Sequence, residues 1–324
     1  MKKLETAFAG LRLKNPFIVS SSNLTNSVEK NKKWEEAGAG AVVLKSLFQE
    51  EIESEANWMN EGVHTEELDY LQTYQRAHRL EQYLRLIKET KAVCTIPVIA
   101  SINCFRLAEW MEFAKQISQA GVDAIELNIM SVNAEIEDDY GTFERLNIRI
   151  VQEIKRVVDV PIIIKLSRNL TNPISLIHQL YANGVAGVVL FNRMAAPDFN
   201  IDTLKFAYAE ALGHPSDLYE SLRWVGLSSN RVPNLSYAVS GGVSDGISLV
   251  KALLAGASAV EVCTALYQKG VPQVYEMLAF LSEWMAQHNF TKVSEFKGLM
   301  NARKTGNASV FARNQFFKQF GKYE

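Results

Sequence analysis

The sequence has few cysteines, and none of them is placed for metal binding or for a disulfide framework. The chain of 324 residues contains three, Cys94, Cys104 and Cys263, with no CxxC spacing. Structural zinc sites and iron–sulfur clusters need grouped cysteines, and small secreted domains need paired ones. The five histidines also lack the spacing of metal ligands. The sequence therefore predicts a reduced protein with no metal and no iron–sulfur centre of its own.

Long apolar runs and a strong charge imbalance are also missing. No apolar stretch approaches the ~18–20 residues of a membrane-spanning helix, and the opening M-K-K-L-E-T-A-F-A-G lacks the apolar segment of a secretory signal. The formal net charge of −2 gives no electrostatic reason to expect nucleic acid or an anionic membrane as a partner. With 48% hydrophobic and 22% charged residues, the composition is that of a globular protein. We therefore expect a cytoplasmic protein that binds neither nucleic acid nor membranes.

Eight short apolar runs recur along the chain. Each has the length of a strand, and near-continuous apolar runs are typical of parallel strands that are covered on both faces. Amphipathic stretches such as 107–120 and 143–158 lie between them and show the apolar spacing of helices. The eight predicted strands are 16–20, 41–46, 97–102, 124–129, 161–166, 187–192, 236–241 and 259–264.

Proline and glycine mark these strands in alternation. Odd-numbered strands follow a proline and even-numbered strands follow a helix-ending glycine, so that a (βα)₂ unit repeats four times. A doubly wound sheet is an alternative, but eight such strands close most simply as a (β/α)₈ TIM barrel. Residues 4–14 predict an N-terminal β-hairpin that caps the bottom of the barrel. We expect one domain over 1–324, with long insertions after strand 2 (47–96) and strand 6 (193–235), and with 290–324 as a C-terminal extension.

Two lysines end predicted strands, at the rim where the active site of such a barrel lies. Lys45 ends strand 2 and Lys165 ends strand 5. A lysine inside an apolar strand costs desolvation unless it meets an anion. Either lysine could hold the negative charge of a cofactor or act as a Schiff-base amine. The structural alternative is a lysine that only reaches solvent at the rim.

The turns after strands 7 and 8 predict an anion site. Ser240-Gly241-Gly242-Val243 ends strand 7 and opens a helix, while Cys263-Thr264-Ala265 follows strand 8. Glycines let backbone N–H groups approach an anion, and a helix N-terminus adds a favourable dipole. The loops after strands 7 and 8 are the usual phosphate site of phosphate-binding barrels. The alternative is that these glycines only turn a strand into a helix.

Strand 4 ends in an unusual polar stretch, A-I-E-L-N-I-M-S-V-N (124–133). Its first half is apolar and predicts burial in the core, whereas its second half carries two carboxamides, Asn128 and Asn133, on either side of Ser131. This half lies at the predicted active-site rim. A turn hydroxyl that caps local backbone is the structural alternative for Ser131.

In their order and register, these motifs resemble the FMN-dependent dihydroorotate dehydrogenase family, a set of (β/α)₈ barrels. The similarity covers most of 4–297. It includes the opening L-x-N-P-F-I-V-S-S-S, the Lys45-Ser46 pair and S-G-G-V-S-D-G (240–246), and E-L-N-I-M-S-V-N stands where the family has E-L-N-x-S-C/S-P-N. The resemblance implies a flavoprotein oxidoreductase of pyrimidine biosynthesis that binds FMN.

The resemblance also implies roles for single residues. Those expected at the FMN phosphate are Gly241, Gly242, Cys263, Thr264 and Ala265. Those expected around the flavin ring and ribityl chain are Ser20, Ser21, Lys45, Ser46, Asn128 and Lys165. Those expected to hydrogen-bond a planar, carbonyl-rich substrate are Asn128, Asn133 and Asn192. Ser131, in a catalytic set with Lys45, would remove a proton from one substrate carbon while hydride leaves the adjacent carbon for flavin N5.

The substrate half of the motif set departs from the family more than the cofactor half does. Met130 and Val132 replace the family's serine or cysteine and its proline, and Arg193 replaces a serine after the strand-6 asparagine. The family's Asn-x-x-Gly-Leu-Pro-Asn loop after strand 2 is replaced by the unrelated stretch 57–70. The expected substrate is therefore dihydroorotate or a related dihydropyrimidine.

Two other functions remain open. One is a Schiff-base aldolase that uses Lys165 or Lys45 on a phosphorylated substrate, and the other is a non-catalytic flavin binder. The leading hypothesis predicts a soluble electron acceptor such as fumarate, as in one class of the family, because an N-terminal amphipathic extension is missing. The sequence leaves the oligomeric state open, with a homodimer as one option.

Overall fold

The computed structural model of the protein describes residues 4–48, 65–104, 106–130, 135–194, 196–208, 210–306 and 311. The strands are β1 (Thr6–Phe8), β2 (Leu11–Leu13), β3 (Phe17–Val19), β4 (Ala41–Val43), β5 (Leu47–Phe48), β6 (Val98–Asn103), β7 (Ala124–Asn128), β8 (Ile162–Leu166), β9 (Gly187–Leu190), β10 (Pro197–Asn200), β11 (Lys205–Tyr208), β12 (Ser236–Ser240) and β13 (Ala259–Val262). The helices are α1 (Val28–Glu36), α2 (Thr65–Val93), α3 (Leu107–Gln119), α4 (Thr142–Ile154), α5 (Pro173–Ala182), α6 (Leu218–Arg231), α7 (Gly246–Ala255), α8 (Thr264–Lys269) and α9 (Pro272–Gln287).

Eight of the strands form a closed parallel barrel. Its circular order is β3, β4, β6, β7, β8, β9, β12 and β13, and β13 pairs with β3 to complete the circle. Each predicted strand overlaps one of these eight, and helices connect the strands. The prediction of a (β/α)₈ TIM barrel is therefore confirmed. Among the described residues, no helix is long and apolar enough to cross a membrane.

Side chains alternate between the two faces of each barrel strand, and this alternation separates two apolar layers. In β7, Ile125 and Leu127 face outwards and pack in the large core between strands and helices. Ala124 faces inwards and belongs to a smaller cluster inside the lower half of the barrel. Glu126 and Asn128 share its face because they lie two and four residues further on. The barrel interior is thus apolar below and polar towards the carboxyl ends of the strands.

The N-terminal hairpin closes the lower end of the barrel, as predicted. β1 and β2 pair antiparallel, and Phe8, Ala9 and Leu13 are buried in the inner apolar cluster. A Cβ atom at Gly187 would lie 3.0 Å from Cβ of Ala9 and 3.1 Å from the Phe8 ring. Full burial of a side chain such as Phe8 is worth about 1.5–3 kcal/mol. The hairpin is therefore a packed plug.

The two long insertions contain additional elements. The first holds β5 and α2, with 49–64 outside the described residues. The second holds the antiparallel pair β10–β11, a short 3₁₀ helix (Pro215–Asp217) and α6. The 3₁₀ helix Val293–Glu295 lies in the predicted C-terminal extension. The single-domain organisation of 1–324 stays a prediction.

Candidate active site

A cavity lined by both polar and apolar groups lies at the carboxyl ends of the barrel strands. It consists of two adjoining spaces of about 300 and 320 Å³. The glycine-side cavity lies at the ends of β12 and β13, and its lining includes Gly241, Gly242 and Thr264. The asparagine-side cavity lies at the ends of β4 and β7, and its lining includes Lys45 and Asn128. The residues that line both are Ser21, Lys165, Asn192 and Arg193.

The structure brings together every predicted site residue that it describes. The glycine-side cavity is lined by Ser20, Ser21, Lys165, Asn192, Gly241, Gly242, Cys263, Thr264 and Ala265. The asparagine-side cavity is lined by Ser21, Lys45, Ser46, Asn128, Lys165 and Asn192. The predicted base Ser131 and the predicted substrate ligand Asn133 lie outside the described residues, so that their roles stay predictions.

Lys165 lies at the centre of a buried ionic triad, which we define as Lys165, Glu126 and Glu261. Its Nζ atom lies 2.6 Å from Oε2 of Glu261 and 3.8 Å from Oε1 of Glu126. It also donates a hydrogen bond to Oγ of Ser20 at 3.0 Å, and Ser20 donates to Glu261 at 3.1 Å. All three triad side chains are buried, and they come from β8, β7 and β13. A buried lysine needs such partners because removing a charge from water is costly.

The pKa shifts in the triad favour one positive and one negative charge. Burial raises the pKa of Glu126 well above its usual value, and the neighbouring charge of Glu261 raises it further, so that Glu126 is protonated. Burial opposes the ionisation of Glu261, yet the lysine beside it keeps the pKa of that carboxyl below its usual value. Burial would also lower the pKa of Lys165, but the ionised Glu261 beside it raises it. Lys165 and Glu261 are therefore both charged.

Sequence reasoning missed Glu126 and Glu261, although a signal for them was present. Glu126 lies two residues before Asn128, and Glu261 lies two residues before Cys263. The period of two along a strand puts each on the same face as a predicted site residue. Both carboxylates could therefore have been placed inside the barrel, close to Lys165.

A chain of hydroxyl groups supports the asparagine-side cavity. Oγ of Ser21 lies 3.0 Å from Oγ of Ser46, which lies 2.7 Å from Oγ of Ser101. The backbone N–H of Ser46 also donates to Oγ of Ser21 at 2.8 Å. Tyr83 on α2 donates to the carbonyl of Ser101 at 3.0 Å. These bonds tie the ends of β3, β4 and β6 together at the cavity.

The two glycines at the end of β12 are needed for different structural reasons. Gly242 adopts a φ of +71°, and a Cβ atom there would lie 2.2 Å from the backbone nitrogen of Leu218. Gly241 has a φ of +87°, and a Cβ atom there would lie 3.4 Å from Nη2 of Arg168. Gly242 is thus required by the close approach of α6. Gly241 leaves backbone accessible beside a guanidinium, which suits an anion.

Arg168, which sequence reasoning did not identify, lies behind the lining of the glycine-side cavity, next to Gly241 and paired with carboxylates. It follows β8 and its Nη1 lies 3.1 Å from Oδ1 of Asp217, while its Nε lies 3.5 Å from Glu220. From the same insertion as Asp217, the backbone N–H of Gly213 donates to Oγ1 of Thr264 at 2.9 Å. The insertion after strand 6 therefore contributes one side of this cavity.

Two carboxamides meet in the asparagine-side cavity. Nδ2 of Asn192 donates to Oδ1 of Asn128 and contacts the sulfur of Met130. Oδ1 of Asn192 accepts from the backbone N–H of Arg193 at 2.8 Å. A carboxamide offers both a donor and an acceptor. This pair can therefore hydrogen-bond to carbonyl and N–H groups of one planar ligand.

Comparison with known proteins agrees with this geometry. A family model described as dihydroorotate dehydrogenase matches residues 3–285. The chain is 29% identical over 319 residues to the "Dihydroorotate dehydrogenase B (NAD(+)), catalytic subunit" of Thermoplasma volcanium, covering 92% of this chain and 99% of that protein. It is 26% identical to the "Dihydroorotate dehydrogenase A (fumarate)" of Limosilactobacillus reuteri, covering 82% and 88%. It is 24% identical to the "NAD-dependent dihydropyrimidine dehydrogenase subunit PreA" of Escherichia coli, covering 93% and 77%.

Proposed function

The chain belongs to the dihydroorotate dehydrogenase family of oxidoreductases that act on a CH–CH bond, and from this premise we propose that it uses FMN to oxidise dihydroorotate or a related dihydropyrimidine. One observation carries the proposal. Of the residues expected at the flavin ring, at the FMN phosphate and at the substrate, those that the structure describes line one two-part cavity, with Lys165 shared by both parts.

The residues of the glycine-side cavity fit the phosphate end of FMN. Gly241 presents backbone where a side chain is absent, and the Arg168 guanidinium lies beside it. Thr264 begins α8 directly after β13. Polar backbone and a nearby cation are the groups that hold a phosphate. When bound, FMN supplies a hydride acceptor.

The residues of the asparagine-side cavity suit a planar substrate. Asn128 and Asn192 would hydrogen-bond its carbonyl and N–H groups and orient the carbon that loses hydride. Ser131, three residues beyond Asn128 in the chain, would take the proton from the adjacent carbon. A serine hydroxyl is a weak base at its free pKa, so it needs hydrogen-bond activation or a water relay.

The state of Lys165 argues against the aldolase alternative at that residue. A Schiff-base lysine must be available as a neutral amine. Lys165 instead forms an ion pair with Glu261 at 2.6 Å, and although burial would lower its pKa, that carboxylate raises it. The electron acceptor is proposed to be a small soluble oxidant, with fumarate as the first candidate because one relative carries that name.

Anaerobic rapid mixing tests the proposed function. The purified protein, saturated with FMN, is mixed with dihydroorotate, dihydrouracil or dihydrothymine while absorbance at ~450 nm is followed. At least one of the three is expected to bleach the flavin within seconds. A protein that takes up no FMN contradicts the proposal, and a normal flavin that none of the three reduces supports a non-catalytic flavin binder instead.

The same experiment with Ser131→Ala isolates the proposed base. The variant is expected to retain FMN but to reduce it about 10²–10⁴-fold more slowly, the usual contribution of a general base. Ser175→Ala on α5, away from the cavity, serves as the matched control. Equal rates in Ser131→Ala and the control would exclude a catalytic role for Ser131.

A further inference from the structure

The ionic triad raises a question about the charge that a flavin meets in this cavity. Lys165 lines both halves of the cavity. An unpaired cation there would stabilise a reduced, anionic flavin and so raise its reduction potential. Glu261 lines the glycine-side cavity and Glu126 lines the asparagine-side cavity. The effect of Lys165 therefore depends on which carboxylate balances it.

We propose that Glu261 is a positioning residue that holds Lys165 and cancels its charge, and that it thereby lowers the reduction potential of the bound flavin. This inference rests on the proposed function, since it concerns FMN in the cavity. It assigns a role to a residue that the motif pattern did not identify.

Geometry distinguishes Glu261 from Glu126 as the partner of the lysine. The distance from Nζ of Lys165 is 2.6 Å to Glu261 and 3.8 Å to Glu126. Ser20 bridges Lys165 and Glu261 with two hydrogen bonds, so that the three groups form one closed set. The carboxyl of Glu126 accepts no hydrogen bond from Lys165 or from Ser20. The ionised partner is thus Glu261, and the pKa directions of the two carboxyls agree with this assignment.

If Glu261 alone is replaced, Glu126 can take over its negative charge. Part of the reason that Glu126 stays protonated is the negative charge of Glu261. With that charge gone, Glu126 can ionise and balance Lys165 from its own position. A double replacement is therefore needed to leave the lysine unpaired.

The experiment measures the midpoint potential of bound FMN in four proteins: wild type, Glu126→Gln, Glu261→Gln and the double variant. A unit charge within about 10 Å, at an effective dielectric constant of ~20, shifts an equilibrium by at least about tenfold. The double variant is expected to shift the reduction equilibrium at least tenfold towards reduced flavin, which is ~30 mV for a two-electron couple. Glu126→Gln is expected to shift it by less than about threefold, because it replaces a neutral group by a neutral group.

Two results would overturn the inference. One is a double variant that binds FMN with the midpoint potential of the wild type. The other is a Glu126→Gln variant that shifts the potential as far as the double variant does, because Glu126 would then be the ionised partner. Glu261→Gln is expected to fall between the wild type and the double variant, and a shift of this single variant towards oxidised flavin also contradicts the inference.

A second pair of substitutions covers the case in which a buried unpaired lysine prevents folding of the double variant. Lys165→Met combined with Glu261→Gln removes both charges together, a change that proteins tolerate better than removal of one. If Glu261 cancels the lysine, this variant keeps the reduction equilibrium within about threefold of the wild type. A shift of tenfold or more towards oxidised flavin would show an uncancelled lysine and overturn the inference.

Failure of this inference is distinguishable from failure of the proposed function. If the wild-type protein takes up no FMN, the proposed function fails before any potential is measured. If wild-type FMN is bound and reduced by a dihydropyrimidine while the potentials contradict the expected order, only the role of Glu261 is wrong.

Discussion

Two cations at the cavity have opposite surroundings. Lys165 is buried and paired with Glu261, whereas Arg193 is exposed at the rim and its Nη2 donates to the carbonyl of Glu210 at 2.6 Å. Arg193 nevertheless lines both halves of the cavity. A carbonyl acceptor does not neutralise the guanidinium, and the carboxylate on which its charge also acts, Asp217, is already paired with Arg168. Arg193 is therefore suited to recognise an anionic group on a substrate.

Substitution of Arg193 tests this recognition. Arg193→Ala is expected to lower kcat/KM for dihydroorotate, which carries a carboxylate, about 10–100-fold, because a hydrogen bond to a charged group contributes ~1.5–3 kcal/mol. The rate with uncharged dihydrouracil is expected to stay within about threefold. Steady-state kinetics with both substrates provides the comparison, and Arg156→Ala, at an exposed residue in the turn after α4, is the control. Equal losses with both substrates would contradict a role in carboxylate recognition.

At the scale of elements, one buried carboxylate joins α1 to the segment before β6. Glu35 accepts hydrogen bonds from the backbone N–H groups of Thr95 and Ile96 at 2.6 and 3.1 Å, and from Oγ1 of Thr95 at 2.6 Å. Lys32 lies 2.7 Å from its other oxygen. Burial opposes ionisation, but the bonds from Lys32 and Thr95 lower the pKa of Glu35 to about 2. These bonds therefore need the ionised carboxylate.

Acid unfolding tests this connection. Because the pKa of Glu35 is lower in the folded protein, its contribution is present above the ordinary pKa near 4.5 and is lost as the pH falls towards 2. Glu35→Gln is expected to lower the free energy of unfolding by about 2 kcal/mol at neutral pH, with allowance for partial solvent screening. That difference should shrink towards zero near the folded pKa.

Urea unfolding at several pH values provides the measurement. The exposed neighbour Glu36 supplies the control, since Glu36→Gln removes the same charge one residue away. A deficit of Glu35→Gln that stays constant from neutral to acidic pH would show that the ionised carboxylate is not the source of its stability.

Elements with a strong apolar period could be predicted from sequence, and short exposed ones could not. The eight barrel strands, the hairpin and helices such as α3 were predicted because one face or both faces are buried. The pair β10–β11 was not, since its residues Pro197–Asn200 are exposed on both faces and leave no period of two. Two-residue β5 is too short to give a pattern. An element can thus be predicted from sequence when at least one of its faces is buried.

At the scale of the whole molecule, the cavity depends on segments that are far apart in the chain. Ser20 and Glu261 are separated by 241 residues, yet they share one hydrogen bond. A ligand that fills both halves of the cavity therefore joins the first and last strands of the barrel. Such a ligand stabilises the folded state as a unit, because it binds the folded chain and not the unfolded one.

Thermal unfolding of flavin-free protein tests this dependence. FMN at about 100 times its Kd is expected to stabilise the protein by ~2.7 kcal/mol and to raise the Tm measurably. Riboflavin, which lacks the phosphate, is expected to raise the Tm less at the same concentration. Equal shifts with both ligands would contradict phosphate binding in the glycine-side cavity.

Site residues could be predicted from sequence where a polar side chain ends an apolar strand, and less well elsewhere. Lys45, Lys165 and Asn128 stand out because polar residues interrupt apolar runs. Glu126 is less conspicuous, since a carboxylate within a strand indicates neither its protonation nor its partner. Arg168 belongs to a loop, where no period indicates direction. Which side chains pair across the barrel depends on the tertiary structure, and this pairing decides which ionisable groups of the site are charged.

The hairpin plug has a consequence for the order of events in turnover. Phe8 and Ala9 pack under the barrel against Gly187, so that the described interior is closed at its lower end. If the cavity binds a flavin as proposed, its reductant and its oxidant both approach from the rim at the carboxyl ends of the strands. If they use the same space, each must leave before the other enters. A cavity that is closed at its lower end favours a ping-pong order, in which the first product leaves before the second substrate binds.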